Sequence, residues 1–387
     1  MLRFYESLKN MPDVGTILNS KGDREHDRYA PAFEIKQSKN ILLEGVAVHH
    51  ALGMGYLFDR SENITIKKSG VYLSKGSNRV VSSTADATHF CNCKGKILIQ
   101  DSRFENMLDD GTNVHGTYAE VNQVIDEYTL RFELKHFEQL GLIFAGVGDE
   151  LWFIQSPSNE RAVVNKVETV NQINERFTEL KFKNKLPQNL KVGDILENKT
   201  WNPTFTMRGC TVQHHRARNL MLKTPLKTVI ENNKFSSMMS SIMFRGESYF
   251  WFESGAVQNV LIRNNQFTQC AYGGSEHAVL NISPRLGESF DQNATYDRNI
   301  RFVNNLIETY DNRIVWADRV KGLVVKGNTI KQTYEVKPQF PTAAMFDIVN
   351  SSNVVITNNV YEGDKKEFVK SDEASKPSLK VEKNKGF

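Results

Sequence analysis

The feature that most constrains this sequence is an eight-residue pattern that recurs along most of the chain. It reads apolar, any, apolar, polar, two turn-forming residues, any, apolar. The clearest copies begin at positions 228, 260, 300 and 354, and looser copies begin at 41, 64, 97, 205 and 323. Their spacings are 23, 33, 108, 23, 32, 40, 23 and 31 residues. The recurrent spacing of 23 predicts a repeat architecture in which each copy marks one turn.

The residues in the pattern favour strands. Its apolar positions alternate with a period of two, as in a strand with one buried face. Asn-Asn pairs such as Asn264-Asn265 suit a sharp bend, because Asn tolerates the left-handed backbone conformation. One turn cannot bury its own apolar face, whereas stacked turns can. We therefore predict an all-β fold, a right-handed parallel β-helix with an Asn ladder, in preference to a helical solenoid or a leucine-rich repeat.

The spacing of 108 residues indicates an insertion. It exceeds one minimal turn by about 85 residues, and strictly alternating segments at 130–134 and 177–182 are typical of antiparallel strands. The prediction is a small inserted antiparallel β-barrel. The expected domains are a first part of the β-helix at 1–116, the barrel at 117–200, a second part of the β-helix at 201–363, and a charged, solvated C-terminal tail at 364–387.

Composition excludes several classes of partner. With 49 basic and 45 acidic residues the net charge is +4, and no basic run interleaves with aromatics, so nucleic acid is not an expected partner. No apolar stretch is long enough for a membrane span. Four cysteines are too few for a disulfide framework in a chain of this length. The N-terminus has no apolar core of a signal peptide, and the sequence leaves open whether the protein is a homo-oligomer.

The densest polar cluster follows the copy at 97 and contains Asp109, Asp110, Asn113 and His115. Adjacent carboxylates are costly in a packed solenoid unless they bind something. Counting from the copy starts, and discounting a ten-residue loop, places Asp86 on the same face as Asp109, one turn away. Strands roughly 4.8 Å apart can then hold carboxyls about 6.5–9.5 Å apart, the spacing of an acid–base pair in an inverting glycosidase. An Asx turn or a calcium site is the alternative for the Asp pair.

Other candidates lie near the same face. Trp251 and Glu253 place an aromatic surface beside a carboxylate, as a sugar platform does, although a solvent-facing strand with core aromatics is an equal alternative. Small residues at the position of Asp109 in other turns leave room for a sugar ring; they are Gly53, Ala217 and Ser240. The remaining candidates for substrate contacts are His50, His89 and Arg208.

At these residues the sequence resembles glycoside hydrolase family 110, the exo-acting α-1,3-galactosidases. The similar segments include Ser83-Thr-Ala-Asp-Ala-Thr-His-Phe90 and lie at 22–31, 50–55, 83–90, 104–116 and 251–256. The resemblance implies a parallel β-helix with an inserted barrel, and inverting release of terminal α-1,3-linked galactose from an oligosaccharide without a metal or other cofactor. By motif it implies that Asp86 is the general acid and that Asp109 and Asp110 activate water.

Within the same motifs, Asn113, His115 and Glu253 are expected to bind substrate. The family usually has further β-helix turns before this point and a signal peptide, so this chain is expected to lack N-terminal turns and to act in the periplasm or outside the cell. Three alternatives remain: a polygalacturonase-like β-helix hydrolase of another polysaccharide, a polysaccharide lyase, and a non-catalytic carbohydrate-binding β-helix. A lyase is disfavoured because it would need calcium carboxylates and a basic Arg or Lys.

Overall fold

The structure is a computed structural model, and it describes residues 15–19, 29–272, 277–335, 337–338, 340–364 and 367–387. Most of the segment at 22–31 on which the family resemblance partly rests therefore lies outside the described residues. Among the described residues, no helix has the length and apolar character of a membrane span.

The chain is built from short strands. Those before the insertion are β1 (Phe33–Lys36), β2 (Lys39–Glu44), β3 (Ala47–Val48), β4 (Tyr56–Asp59), β5 (Glu62–Lys67), β6 (Gly70–Val71), β7 (Thr88–Cys91), β8 (Lys94–Gln100), β9 (Arg103–Glu105) and β10 (Thr112–Val124). The insertion contributes β11 (Thr129–Glu133), a 3₁₀ helix (Phe137–Gln139), β12 (Glu150–Ile154), β13 (Val163–Gln172), β14 (Phe177–Phe182) and β15 (Ile195–Asn198).

The stack then resumes. Its strands are β16 (Pro203–Arg208), β17 (Thr211–Gln213), β18 (Leu220–Leu222), β19 (Thr228–Glu231), β20 (Lys234–Ser237), β21 (Ile242–Phe244), β22 (Glu253–Ser254), β23 (Gln258–Arg263), β24 (Gln266–Cys270), β25 (Leu280–Ile282), β26 (Asp297–Val303), β27 (Leu306–Thr309), β28 (Val315–Asp318), β29 (Val320–Lys326), β30 (Thr329–Gln332), β31 (Phe346–Val349), β32 (Ser352–Thr357), β33 (Val360–Glu362), β34 (Val369–Ser371) and β35 (Leu379–Glu382). A second 3₁₀ helix, Lys376–Ser378, precedes β35.

Three parallel sheets run the length of the stack. Sheet A contains β1, β4, β7, the first half of β10, β18, β21, β25, β28, β31 and β34; sheet B begins with β2, β5 and β8, and sheet C with β3, β6 and β9. Each strand pairs in parallel with its equivalent one turn away, so the three sheets enclose one continuous apolar core. The predicted all-β class and parallel β-helix are confirmed.

The Asn-Asn pairs serve two separate purposes. The first Asn of a pair has a positive φ, 54° at Asn264 and 55° at Asn304, and makes the bend. The second Asn is buried and extends a ladder, in which the side-chain amide of Asn265 donates to Oδ1 of Asn305 at 3.1 Å and that of Asn305 donates to Oδ1 of Asn328 at 3.0 Å. The predicted ladder therefore satisfies buried polar groups at each turn.

The insertion is a closed antiparallel barrel. The strands follow the order β11, β14, β13, β12, β15 and β10, and β10 pairs back to β11. Alternating residues of these strands, among them Leu130, Phe132, Leu151 and Phe153, fill its own apolar core. Because β10 belongs to sheet A at Thr112 and to the barrel from Tyr118 onward, one strand joins the two units rigidly.

A buried polar cluster seals the junction between barrel and β-helix. Arg60 of the β-helix donates to Oδ2 of Asp149 in the barrel at 2.7 Å. The same carboxylate accepts from Asn198 at 3.2 Å and from the Trp201 indole at 3.1 Å, and the Arg60 guanidinium lies over the Trp201 ring. These contacts fix the barrel against the side of the stack where the polar residues gather.

The prediction of a solvated C-terminal tail at 364–387 is wrong. β34 pairs with β31 and β35 pairs with β32, so this stretch adds another turn. Asn384 continues the ladder by accepting from the side chain of Asn359 at 3.0 Å, and Phe368 and Phe387 stack at 4.9 Å over the end of the core. The stretch folds because it retains period-two apolar residues and a ladder Asn despite its high charge.

Candidate active site

A cavity of about 850 Å³ lies where sheet A meets the barrel. Eight of the ten residues selected from the sequence line it: Asp86, His89, Asp109, Asp110, Asn113, His115, Trp251 and Glu253. They come from the start of β7, the start of β10, and the segment around β22. The parallel register of sheet A brings the first two groups together, because Thr88 of β7 lies opposite Thr112 of β10.

This register places Asp86 level with Asp110, one residue away from the predicted partner Asp109. The backbone confirms it, since the Ala87 N–H donates to the Asp110 carbonyl at 2.9 Å. The error lies in the length of the discounted loop. Val71 lies opposite Phe104, an offset of 33 positions, whereas Ser83 lies opposite Met107, an offset of 24, so the loop before Asp86 holds nine extra residues and not ten.

The predicted column of small residues is also wrong. Gly53 and Ala217 lie level with Asp109, and Ser240 lies level with Asp110, but none of the three lines the cavity. Ala217 is fully buried, and a side chain at Gly53 would collide with the backbone of Ala30. The next turn instead presents Arg218 to the cavity, level with Asp110 through the pairing of Thr112 with Leu220.

The three carboxylates form one buried cluster. One oxygen from each of Asp86, Asp109 and Asp110 lies within 4.8 Å of the others, closer than the carboxyl spacing that the sequence predicted. The Asp110 backbone N–H donates to Oδ1 of Asp86 at 3.2 Å. Oxygen atoms this close suit a divalent cation, but a guanidinium already balances part of their charge.

Arg218 supplies that guanidinium. Its Nε donates to Oδ1 of Asp110 and its Nη2 to Oδ2, both at 2.7 Å. Oδ1 of Asp109 is more distant, 3.9 Å from Nη2 of both Arg216 and Arg218. Burial raises the pKa of Asp110 to about 6, against the lowering effect of Arg218 and with a further contribution from Asp86 and Asp109.

Two histidines connect Asp86 to the interior. Nδ1 of His89 lies 2.8 Å from Oδ2 of Asp86, and Nε2 of His89 lies 2.9 Å from Nε2 of His115. Nδ1 of His115 lies 2.8 Å from the Gly116 carbonyl oxygen. Burial lowers the pKa of His115 to about 4, so its ring is neutral at neutral pH.

Glu253 reaches the site through β22, which pairs antiparallel with Gly116 and Thr117. Lys223 donates to Oε2 of Glu253 and, at 3.1 Å, to Oδ1 of Asn113. Burial alone would raise the pKa of Glu253, but the neighbouring His115 and Lys223 hold it well below its usual range. Glu253 is therefore an anion that fixes Lys223 and Asn113 in the cavity wall.

The barrel supplies an aromatic wall. The Gln139 amide, in the 3₁₀ helix, donates to the Trp251 carbonyl at 2.6 Å. The His136 ring lies 4.5 Å from the Trp251 ring and 5.3 Å from that of Phe250. A segment of the β-helix and a loop of the barrel therefore close one end of the cavity together.

Two selected residues lie elsewhere. Arg208 is on the solvent face of sheet B, where it donates to Oε1 of Gln100 at 2.9 and 3.2 Å. His50 is exposed and does not line the cavity. Sequence reasoning missed Arg218, Lys223 and Arg245, although the correct sheet A register would have placed Arg218 beside Asp110.

Two family models match the chain. The model described as GLAA-B beta-barrel domain II matches residues 129–196, and the right handed beta helix region model matches residues 195–385. The fold class is therefore a right-handed parallel β-helix with an inserted antiparallel β-barrel, as predicted.

Curated relatives share most of this sequence. Alpha-1,3-galactosidase A of Shewanella woodyi is 35% identical over 94% of this chain and 59% of its own length. Alpha-1,3-galactosidase A of Bacteroides fragilis is 32% identical over 98% of this chain and 63% of its own length, and alpha-1,3-galactosidase B of Phocaeicola vulgatus is 34% identical over 88% and 60%. The chain thus spans about 60% of the length of the curated relatives it matches.

Proposed function

We propose that this chain forms the catalytic part of an exo-acting, inverting glycosidase that hydrolyses terminal α-1,3-linked galactose. The observation that carries the proposal is the buried cluster of Asp86, Asp109 and Asp110 on a cavity that is closed at one end. The names of the relatives supply the substrate class. A periplasmic or extracellular location belongs to the same proposal.

The number of protons that the contacts between His115, His89 and Asp86 require supports Asp86 as the general acid. The Gly116 carbonyl only accepts, so Nδ1 of His115 carries hydrogen and Nε2 of the neutral ring accepts. Nε2 of His89 must then donate to it. The remaining contact, between Nδ1 of His89 and Oδ2 of Asp86, needs one further proton on either partner. The Asp86–His89 pair therefore retains a proton that it can transfer to the leaving oxygen.

The other two carboxylates, Asp109 and Asp110, bind and activate the attacking water. Arg218 holds both oxygens of Asp110, which orients that side chain and favours its ionised form. Asp109, 3.9 Å from the guanidinium, is the base that deprotonates the water, and Asp110 fixes the water beside it. Attack from the side opposite the leaving oxygen gives inversion.

The cavity walls favour a terminal sugar. Trp251 offers a ring face to the apolar side of galactose, and Asn113 and Lys223 offer hydrogen-bonding groups. The loop around Phe137–Gln139 closes the end of the groove, whereas a polygalacturonase-like endo enzyme requires an open one.

A second candidate is the same hydrolysis with retention. The carboxylate oxygens lie within 4.8 Å of one another, nearer the carboxyl separation of about 5–5.5 Å in retaining enzymes than the larger inverting one. In that mechanism Asp109 attacks the sugar carbon as the glycosidic bond breaks and Asp86 protonates the leaving oxygen, and water then hydrolyses the covalent intermediate.

An NMR time course on α-1,3-linked galactobiose tests both. Initial release of β-galactose supports inversion, and initial release of α-galactose supports retention. Asp109→Asn should abolish release, with the exposed Asp364→Asn as the matched control. A folded chain that releases no galactose from any α-1,3-galactoside would refute the proposed function.

A further inference from the structure

Arg245 differs in its ion pairing from three other arginines whose side chains are largely buried. Arg60, Arg161 and Arg218 each pair with a carboxylate at 2.5–2.7 Å, those of Asp149, Glu197 and Asp110 respectively. Arg245 lines the cavity and is half-buried, yet among the described residues no carboxylate oxygen lies within 4.0 Å of it.

Its hydrogen bonds leave part of the guanidinium unused. Nε donates to the Ser283 carbonyl at 3.1 Å, and Nη2 donates to Oγ of Ser283 at 2.7 Å. In the part of the chain that the structure describes, Nη1 has no acceptor. Burial, together with the neighbouring Arg285 and Arg218, lowers the pKa of Arg245 to about 10, so the group stays charged at neutral pH.

The neighbouring cations are compensated. The register of β18 with β21 places Arg245 level with Lys223, which pairs with Glu253. Arg285 lies 4.0 Å from Glu247, whose other oxygen accepts from the Trp251 N–H at 3.0 Å. Among the described cations of this wall, Arg245 is therefore the one without a carboxylate oxygen within 4.0 Å.

The position relates this charge to the reaction. Arg245 follows β21, two strands along sheet A from β10, which begins beside the catalytic carboxylates. At the usual strand spacing this is roughly 10 Å along the stack. A group on a sugar that occupies the cavity beyond Arg218 would meet Arg245.

We propose that Arg245 binds an oxyanion carried by the substrate, a sulfate ester or a carboxylate on one of the two sugars that flank the scissile bond. The inference rests on the proposed function and names its substrate class. A sheltered charge without a partner is costly, and an oxyanion repays that cost through charge-assisted bonds. The planar fork of a guanidinium suits the paired oxygens of such a group.

The test compares neutral α-1,3-galactobiose with singly sulfated and carboxylate-bearing versions of the same disaccharide. We expect the full chain to show a kcat/KM at least about tenfold higher on one anionic substrate than on the neutral one. Arg245→Met should lower that value at least about tenfold, mainly through KM, and change the neutral value less than about threefold. Arg245→Lys should keep part of the preference. Arg263→Met, which removes an exposed arginine on sheet B, is the matched control.

The sulfated and carboxylated arms identify the source of the oxyanion. Equal or better turnover of the neutral disaccharide by the wild type would overturn the inference, as would an equal loss on all substrates in Arg245→Met. If no substrate is cleaved, the proposed function fails, and calorimetric binding of the same disaccharides decides this inference independently. Tighter binding of an anionic disaccharide that Arg245→Met abolishes supports it, and equal binding by both proteins refutes it.

Discussion

Asp110 and Arg218 are 108 positions apart in the chain and share two hydrogen bonds of 2.7 Å on neighbouring turns. The intervening residues contain all the strands of the barrel, and β10 and β18 on either side of it still pair in parallel. An ion pair essential to the proposed chemistry thus spans the insertion.

The pH dependence of kcat/KM should reflect the ionisation of Asp110 in its pair with Arg218. Burial raises the pKa of Asp110 to about 6, above its ordinary 3.8, so the carboxyl ionises only as the pH passes about 6. We expect kcat/KM to rise through that pH. Arg218→Met removes the group that lowers this pKa and should move the limb at least about one pH unit higher. An unmoved limb would contradict the assignment, and Arg263→Met is the control.

The raised pKa of Asp110 should make the free energy of unfolding fall as the pH rises, whereas kcat/KM should rise. Because the folded pKa of Asp110 is raised, the folded state binds more protons than the unfolded state between about pH 4 and 6. This residue therefore contributes stability at low pH that is lost as the pH rises through about 6. Urea unfolding of the wild type and of Arg218→Met should show a larger loss in the variant over that rise.

Removal of the acid should depend on the leaving group. Asp86→Asn cannot donate a proton, and we expect kcat on α-1,3-galactobiose to fall by about 10²–10⁴-fold. A nitrophenyl α-galactoside needs little protonation, so its hydrolysis should fall far less. Kinetics on both substrates check this; equal losses would show that Asp86 has another role.

Replacement of His115 should give a loss of activity that depends on the leaving group in the same way, but that is smaller than the loss in Asp86→Asn. His115→Leu leaves Nε2 of His89 without its acceptor at 2.9 Å, so the proton of the Asp86–His89 pair is held less well. We expect at least about a tenfold loss on galactobiose and a smaller one on the nitrophenyl substrate. The exposed His50→Leu should change neither. Parallel losses on both substrates in His115→Leu would argue for a purely structural role.

The two residues of an Asn pair should differ in how much they contribute to the free energy of unfolding. Asn305→Ala removes bonds to Asn265 and Asn328 and leaves buried donors unpaired, which should cost about 2–4 kcal/mol in the free energy of unfolding. Asn304→Gly should stay within about 1 kcal/mol, because Gly327 occupies the equivalent bend with a φ of 67°. Urea unfolding distinguishes them, and equal losses would refute the division of roles.

The barrel junction should be sensitive to one charge. Asp149→Asn leaves the buried Arg60 guanidinium without its partner at 2.7 Å, and we expect a loss of about 3–5 kcal/mol. Lys199→Met breaks an exposed pair with Glu150 at 2.7 Å and should cost no more than about 1 kcal/mol. Thermal unfolding checks both, and equal shifts would mean that Arg60 is compensated otherwise.

Local patterns carried much of this architecture. The period-two apolar residues and the Asn pairs predict the strands, bends and ladder because each depends on residues a few positions apart. Local patterns were insufficient at 364–387. The high charge of this segment obscured the apolar alternation of Leu379 and Val381 and the ladder residue Asn384.

The residue types of the candidate site were also legible. Asp109, Asp110, Asn113 and His115 stand together in the chain, and Asp86 and His89 form a second short motif. The sequence by itself therefore determined the repeat, the insertion and the main acidic and imidazole groups. Those features are encoded locally, and local steric and hydrophobic preferences are sufficient to express them.

Only the tertiary structure decided which of these groups meet. Register in a stacked sheet depends on the length of every bulge and loop. Because the loop between Val71 and Ser83 has nine extra residues and not ten, the partner of Asp86 is Asp110 and not Asp109. Arg218 and Arg245 reach the cavity through strand pairing across the insertion, and Glu253 reaches it through β22. Charge compensation, burial and the proton held by Asp86 and His89 all follow from that placement in space, which residue order does not specify.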